Sequence, residues 1–165
     1  MNDDLAPDLL AARSALDELL DSAPAALTPP AVWADGPYVA VAHEHAFTRE
    51  PDGTAHLEKR RYLLTRVAEH RYPELLAQLG RAWRERGWVV ESEDDPVLPV
   101  LRAKSPYGTA EFRIGFAGNG TLLARVDGLS APVASYPFGG ASTVPIGTDG
   151  LMDTVPRRQD PFWSV

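Results

Sequence analysis

Residues 72–92, YPELLAQLGRAWRERGWVVES, constrain most strongly what this chain can fold into. Leu75, Leu76, Leu79, Ala82 and Trp83 recur at helical spacing, with Arg81, Arg84, Glu85 and Arg86 on the opposite side. Pro73 suits the first turn, Glu74 its positive end, and the arginines the negative end of the helix dipole. Gly87 is placed for the left-handed residue that closes a helix, and Trp88-Val89-Val90 opens a strand directly behind it. Gly80 in the helix interior costs roughly 1 kcal/mol against alanine, which close packing against a sheet would explain. A helix that stops on a glycine and runs straight into a strand is the expected cover of the sheet that follows.

The sequence beyond it alternates with period two. Val100–Lys104 reads as a short strand, Pro106-Tyr107-Gly108 as a turn, and Ala110–Phe116 as a strand with Ala110, Phe112, Ile114 and Phe116 inward. Gly118-Asn119-Gly120 has the chemistry of a type I′ hairpin turn, and Thr121–Val126 returns from it. Upstream, Tyr38–Arg49 alternates and runs into Pro51-Asp52-Gly53, a second hairpin signal. Residues 56–70 fit either a strand or a helix, and the Asp-Gly turn favours the strand.

The N-terminal part predicts a helix over 7–21, with Leu9, Ala12, Leu16, Leu19 and Leu20 on one stripe. Residues 22–37, with Pro24, Pro29, Pro30, Gly36 and Pro37, read as a connector pinned by Trp33. Residues 137–165 have no sustained period and read as a tail, either laid over the domain or free with an aromatic tip at Phe162-Trp163. The expectation is one α+β domain over 1–136. Its antiparallel sheet has about five or six strands covered by one central helix, the N-terminal helix docks beside that helix, and the tail extends beyond.

Composition bounds the chemistry. With no cysteine, thiolate catalysis and cysteine-ligated zinc are excluded. The acidic N-terminus and the lack of a long apolar run predict a cytoplasmic protein with no membrane span. A net charge of −7 argues against general affinity for nucleic acid. The charge is segregated: Lys59, Arg60, Arg61, Arg66, Arg71, Arg81, Arg84 and Arg86 make up 8 of the 16 basic residues, while acids gather in the first helix and at 91–95. The run is expected to be a solvated face paired with neighbouring acids, the alternative being a surface for an acidic protein or a phosphorylated ligand. No nucleophile elbow, phosphate-binding loop, dinucleotide fingerprint or HExxH helix is present.

The most pointed chemical pattern is His43-Glu44-His45, because residues two apart on a strand project from one face and both imidazoles could reach one ion. With Asp52-Gly53 as the turn, His43 would face Tyr62, Glu44 would face Arg61, and His56 would lie about 13 Å from His45, beyond direct ligation. The segment W-R-E-R-G-W-V-V, with the P-Y-G-T and G-N-G-T turns, resembles small actinobacterial proteins of unassigned function over residues 73–128. Some of those are lipoproteins, whose signal sequence and lipobox cysteine are not found in this sequence. The resemblance implies the fold and carries no active site. The function expected from the sequence is a non-enzymatic adaptor or chaperone-like module without a cofactor, binding another protein or a second copy of itself. Arg81, Arg84, Leu16, Leu19, Phe162 and Trp163 are the expected contacts. The alternative is a small-molecule or metal-binding protein, an enzyme included, using a strand face with His43, His45 and Tyr62.

Overall fold

A computed structural model describes residues 7–93, 95, 98–130 and 142–165. Helix α1 (Pro7–Asp21) is followed by strands β1 (Trp33–Glu44) and β2 (Pro51–Leu63), then helix α2 (Tyr72–Glu85). Strands β3 (Val89–Glu93), β4 (Val100–Lys104), β5 (Thr109–Ile114) and β6 (Gly120–Ser130) complete one six-stranded sheet, in the order β1-β2-β6-β5-β4-β3. Every pairing is antiparallel. The chain is α+β, with both helices contributing to a core on one face of the sheet.

The α2 stop forms as its sequence requires. Gly87 takes φ +79°, its N–H donates to the Arg84 carbonyl, and the Trp88 N–H donates to the Trp83 carbonyl. These are the two bonds of a Schellman closure. The Trp83 and Trp88 rings meet at 6.4 Å as its apolar clasp. Gly80 is buried, and a Cβ there would come 3.1 Å from Arg84 Nη1 and 3.7 Å from Leu101 Cδ2. Close approach to the sheet and to its own arginine accounts for that glycine.

The cover is shared differently from the expectation. α2 lies against β3 and β4 at one end, whereas α1 lies against β2, β5 and β6 in the middle. Leu16, Leu19 and Leu20 are fully buried beneath α1, so the leucines expected to reach a partner are core. The link between the helices is a buried hydrogen bond in which Trp83 Nε1 donates to Ser22 Oγ, 2.8 Å.

The acidic side of α1 is engaged too. Asp17 accepts the Tyr38 hydroxyl at 2.6 Å and lies 3.6 Å from Lys59, and Asp21 accepts from Arg61 at 2.9 Å. For these two residues the expected pairing of the basic run with neighbouring acids holds. Tyr38 also lies beneath the Arg13 and Lys59 cations, 4.4 and 4.3 Å from its ring centre. Burial, reinforced by Asp17, pushes its hydroxyl pKa up to about 12 from 10.0. The native state therefore holds a proton that the unfolded chain releases. This contribution is complete below pH 10 and disappears as pH rises through about 12. Denaturant titrations across that window should show a steeper loss of stability in wild type than in Tyr38→Phe.

Several boundaries move. The sheet starts at Trp33, inside the expected connector, and Trp33 meets Phe112 edge-on at 6.0 Å. The stretch 51–63 is strand. The β5–β6 reversal spans 115–119, with positive φ at Ala117 and Gly118 and not at Asn119. Phe116, expected inward, is in that reversal and is 81% exposed.

The described part of the tail packs onto the body. Trp163 is fully buried in the core that both helices share, and Val144 is buried with Ala34 and Leu64 against Tyr62. Residues 137–141 of the expected tail, and Asp94 and Pro96 of the acidic loop, lie outside the described residues.

Candidate functional site

The helices occupy one face of the sheet. Alternation along β2 sends Leu57, Lys59, Arg61 and Leu63 to the helix side, and His56, Glu58, Arg60 and Tyr62 to the other. On this open face Val39 and Val41 of β1 stand opposite Glu58 and His56. Leu123 and Arg125 of β6, Glu111 and Arg113 of β5, Arg102 of β4 and Val89 of β3 continue it. Arg102 bridges Glu93 and Glu111, at 2.5 and 2.7 Å. A hollow of about 380 Å³ sits over this part, with Val89, Glu91, Arg102, Lys104, Leu123 and Arg125 in its lining. Among the described residues, tail segment 142–144 reaches this face at its β1–β2 end, where Val144 packs with Tyr62.

The histidines settle in a register unlike the expected one. β1 ends at Glu44, which pairs with Pro51, and the chain reverses over 45–50 with Arg49 at φ +60°. Asp52 and Gly53 belong to β2, where the Asp52 carboxylate accepts the Thr54 N–H at 2.8 Å. Tyr62 pairs with Ala34, so neither the expected His43–Tyr62 pair nor the expected Glu44–Arg61 pair forms. His45 lies in the reversal, exposed. His56, expected to be out of reach, lies 2.7 Å from His43, Nδ1 to Nε2.

β6 brings a third group. Ala55 pairs with Leu129 and Leu57 with Val126, so Asp127 and Gly128 together oppose His56. Gly128, at φ +80°, supplies the backbone conformation for that bulge. One ligand atom each from His43, His56 and Asp127 lie within 4.8 Å of one another. The far nitrogen of each ring has its own partner. His43 Nδ1 is 2.9 Å from Thr54 Oγ1, whose hydroxyl donates to Asp52 Oδ1 at 2.7 Å. His56 Nε2 is 3.5 Å from Glu58 Oε2. Asp127 receives both Arg125 bonds on Oδ1, at 2.9 and 2.6 Å. Burial, then the Arg125 charge, lower the His56 pKa against the opposing pull of Glu58. Hydrogen bonds from Thr54 lower that of Asp52.

The other expected contacts do not form one patch. Arg84 lines a hollow of about 430 Å³ between α2 and the β3–β4 connection, together with Tyr72, Leu76, Glu93 and Pro99. Arg81 lines a separate one near Thr28 and Gln78. Phe162 is half-buried under the Arg71 guanidinium, 4.0 Å away, and Trp163 is inside the protein. Sequence reasoning missed Asp127 and set His56 aside. The Asp-Gly dipeptide at 127–128 is the signal that could have placed a bulge there.

The architecture defines an α+β protein with both helices on one face of a six-stranded antiparallel sheet and, among the described residues, the tail segment 142–144 on the β1–β2 end of the other. No family model matches the chain, and neither a curated protein nor a solved structure matches it.

Proposed function

We propose that this protein is a non-enzymatic binding module that presents the open sheet face to another protein. The supporting observation is the mixed character of that face around its central hollow. Apolar Val89 and Leu123 sit beside Arg102, Arg125 and Glu91. Interfaces draw their energy from a few side chains seated in desolvated pockets with a polar rim, and this hollow has the size and lining to seat one. Interspersed charges of both signs suit a protein surface carrying its own complementary pattern, and not a polyanion.

The test is affinity purification from cells that express the protein, comparing wild type with Leu123→Glu and Arg81→Glu. Leu123→Glu should remove the proteins enriched with wild type, and Arg81→Glu should retain them. Loss with Arg81→Glu alone would move binding to the helix face and overturn the proposal. So would an unchanged set of proteins with Leu123→Glu.

A further inference from the structure

On the open face the rings of His43 and His56 meet nitrogen to nitrogen, with their outer nitrogens beside Thr54 and Glu58. Thr54 Oγ1 gives its only hydrogen to Asp52, so it can only accept from His43 Nδ1. That fixes the His43 proton on Nδ1 and leaves Nε2 with a lone pair. His56 Nε2 lies 3.5 Å from Glu58 Oε2, and with its proton on that side His56 Nδ1 carries a lone pair as well. In that tautomer both inner nitrogens, 2.7 Å apart, are available to one ion; with the proton on Nδ1, His56 donates to His43 Nε2 instead. Asp127 stands beside the same gap and adds a carboxylate to the two imidazoles, one ligand atom of each lying within 4.8 Å of the others.

We propose that His43 Nε2, His56 Nδ1 and Asp127 form a binding site for a divalent cation of the zinc class, one ligand from each of strands β1, β2 and β6. This goes beyond the binding-module reading and does not depend on it. The donor set of two imidazoles and a carboxylate is the kind that zinc takes. A tetrahedral ion about 2.0–2.1 Å from both nitrogens needs them about 3.3 Å apart. The rings must therefore part by only about 0.6 Å from their 2.7 Å separation. Both Arg125 bonds fall on Oδ1 of Asp127, so Oδ2 is the oxygen offered to the ion.

Thr54 and Glu58 are positioning residues. Thr54 Oγ1 is 2.9 Å from the outer nitrogen of His43 and Glu58 Oε2 is 3.5 Å from that of His56, the places that hydroxyl and carboxylate partners take around metal-bound histidines. Asp52, Glu58 and Asp127 also outnumber Arg60 and Arg125 around the rings, so the local charge favours a cation. Three protein ligands leave a fourth position for water.

The experiment is calorimetric titration of tag-free, chelator-stripped full-length protein with Zn²⁺, and with Co²⁺ for its visible spectrum. Wild type should bind one equivalent of Zn²⁺ and give the intense visible bands of four-coordinate Co²⁺. His43→Ala and Asp127→Asn should each weaken binding by more than ~10-fold, and Glu58→Gln by ~10-fold. His45→Ala should leave affinity unchanged. Asp127 is exposed, so its variant keeps the fold and the readout stays clean. Absence of saturable binding by wild type would overturn the site. Equal loss on His45→Ala and His43→Ala would also overturn it, by returning the ligands to the β1–β2 reversal.

Discussion

Trp163→Ala should lower unfolding stability by about 3–5 kcal/mol, the cost of emptying a buried indole site. That is a large share of the ~5–15 kcal/mol that holds a typical domain together. Trp163 is fully buried, its Nε1–H donates to the Pro29 carbonyl at 2.8 Å, and its own carbonyl accepts the Ala68 N–H at 2.7 Å. The turn that delivers it is built by Asp160, whose carboxylate accepts the N–H groups of Phe162 and Trp163, both at 2.8 Å. Phe162 meets the indole edge-on at 4.9 Å and carries Arg71 on its other side. The C-terminal residues thus close the core between residues 29 and 68. Urea denaturation should show a lower midpoint with an unchanged slope. Trp163→Phe should recover most of the packing but leave the Pro29 carbonyl unpaired, at about 1–3 kcal/mol. An aromatic tip that served only a partner would leave the midpoint where it is.

Trp163 also shows where sequence reading stops. Its aromaticity was legible, but its destination was not, because it lies 134 positions from Pro29 and no periodic signal links the two. The α2 stop was legible because every atom that makes it lies within a few residues: Trp83, Arg84, Gly87 and Trp88 close on one another. The alternation of strands was legible for the same reason. Hairpin register was not. Gly53 does take the positive φ that a turn glycine suggests, at +85°, yet it sits within β2. The reversal runs through 45–50, where Arg49 takes φ +60° without a glycine to announce it. That displacement alone turned His43 from Tyr62 to His56 and dissolved the expected His43/His45 pair. Asp127 depends further on a bulge against a strand more than 60 residues earlier in the chain, a relation that exists only once the sheet is formed.

Asp35→Ala should cost about 2–3 kcal/mol, below the ~3–5 kcal/mol for breaking a wholly buried ion pair because water reaches part of the carboxylate. The Arg61 side chain is 11% exposed and Asp35 30%. Arg61 Nε donates to Asp35 Oδ1, its Nη2 to Oδ2 at 3.4 Å, and its Nη1 to Asp21 at 2.9 Å. Burial works against the guanidinium charge, but the hydrogen bonds that Arg61 donates to Asp35 and Asp21, with the charges of the two acids, outweigh it and hold the Arg61 pKa above its ordinary value. Lys59 lies 3.8 Å from the same Asp35 carboxylate. The backbone of Asp35 exchanges two bonds with Thr143, at 2.7 and 2.8 Å, so β1, β2, α1 and the C-terminal segment meet at this residue. Removing its carboxylate leaves Arg61 buried with Asp21 as its remaining acidic partner, and the Asp21 side chain is 71% exposed. Asp21→Ala should therefore cost no more than ~1 kcal/mol. The double variant Asp35→Ala/Arg61→Met should be more stable than Asp35→Ala alone, because an apolar side chain of similar length removes the stranded charge. A double-mutant cycle by denaturant titration separates the terms. If Asp35→Ala and Asp21→Ala cost the same, the Arg61–Asp35 contact behaves as an exposed ion pair and the account of this junction is wrong.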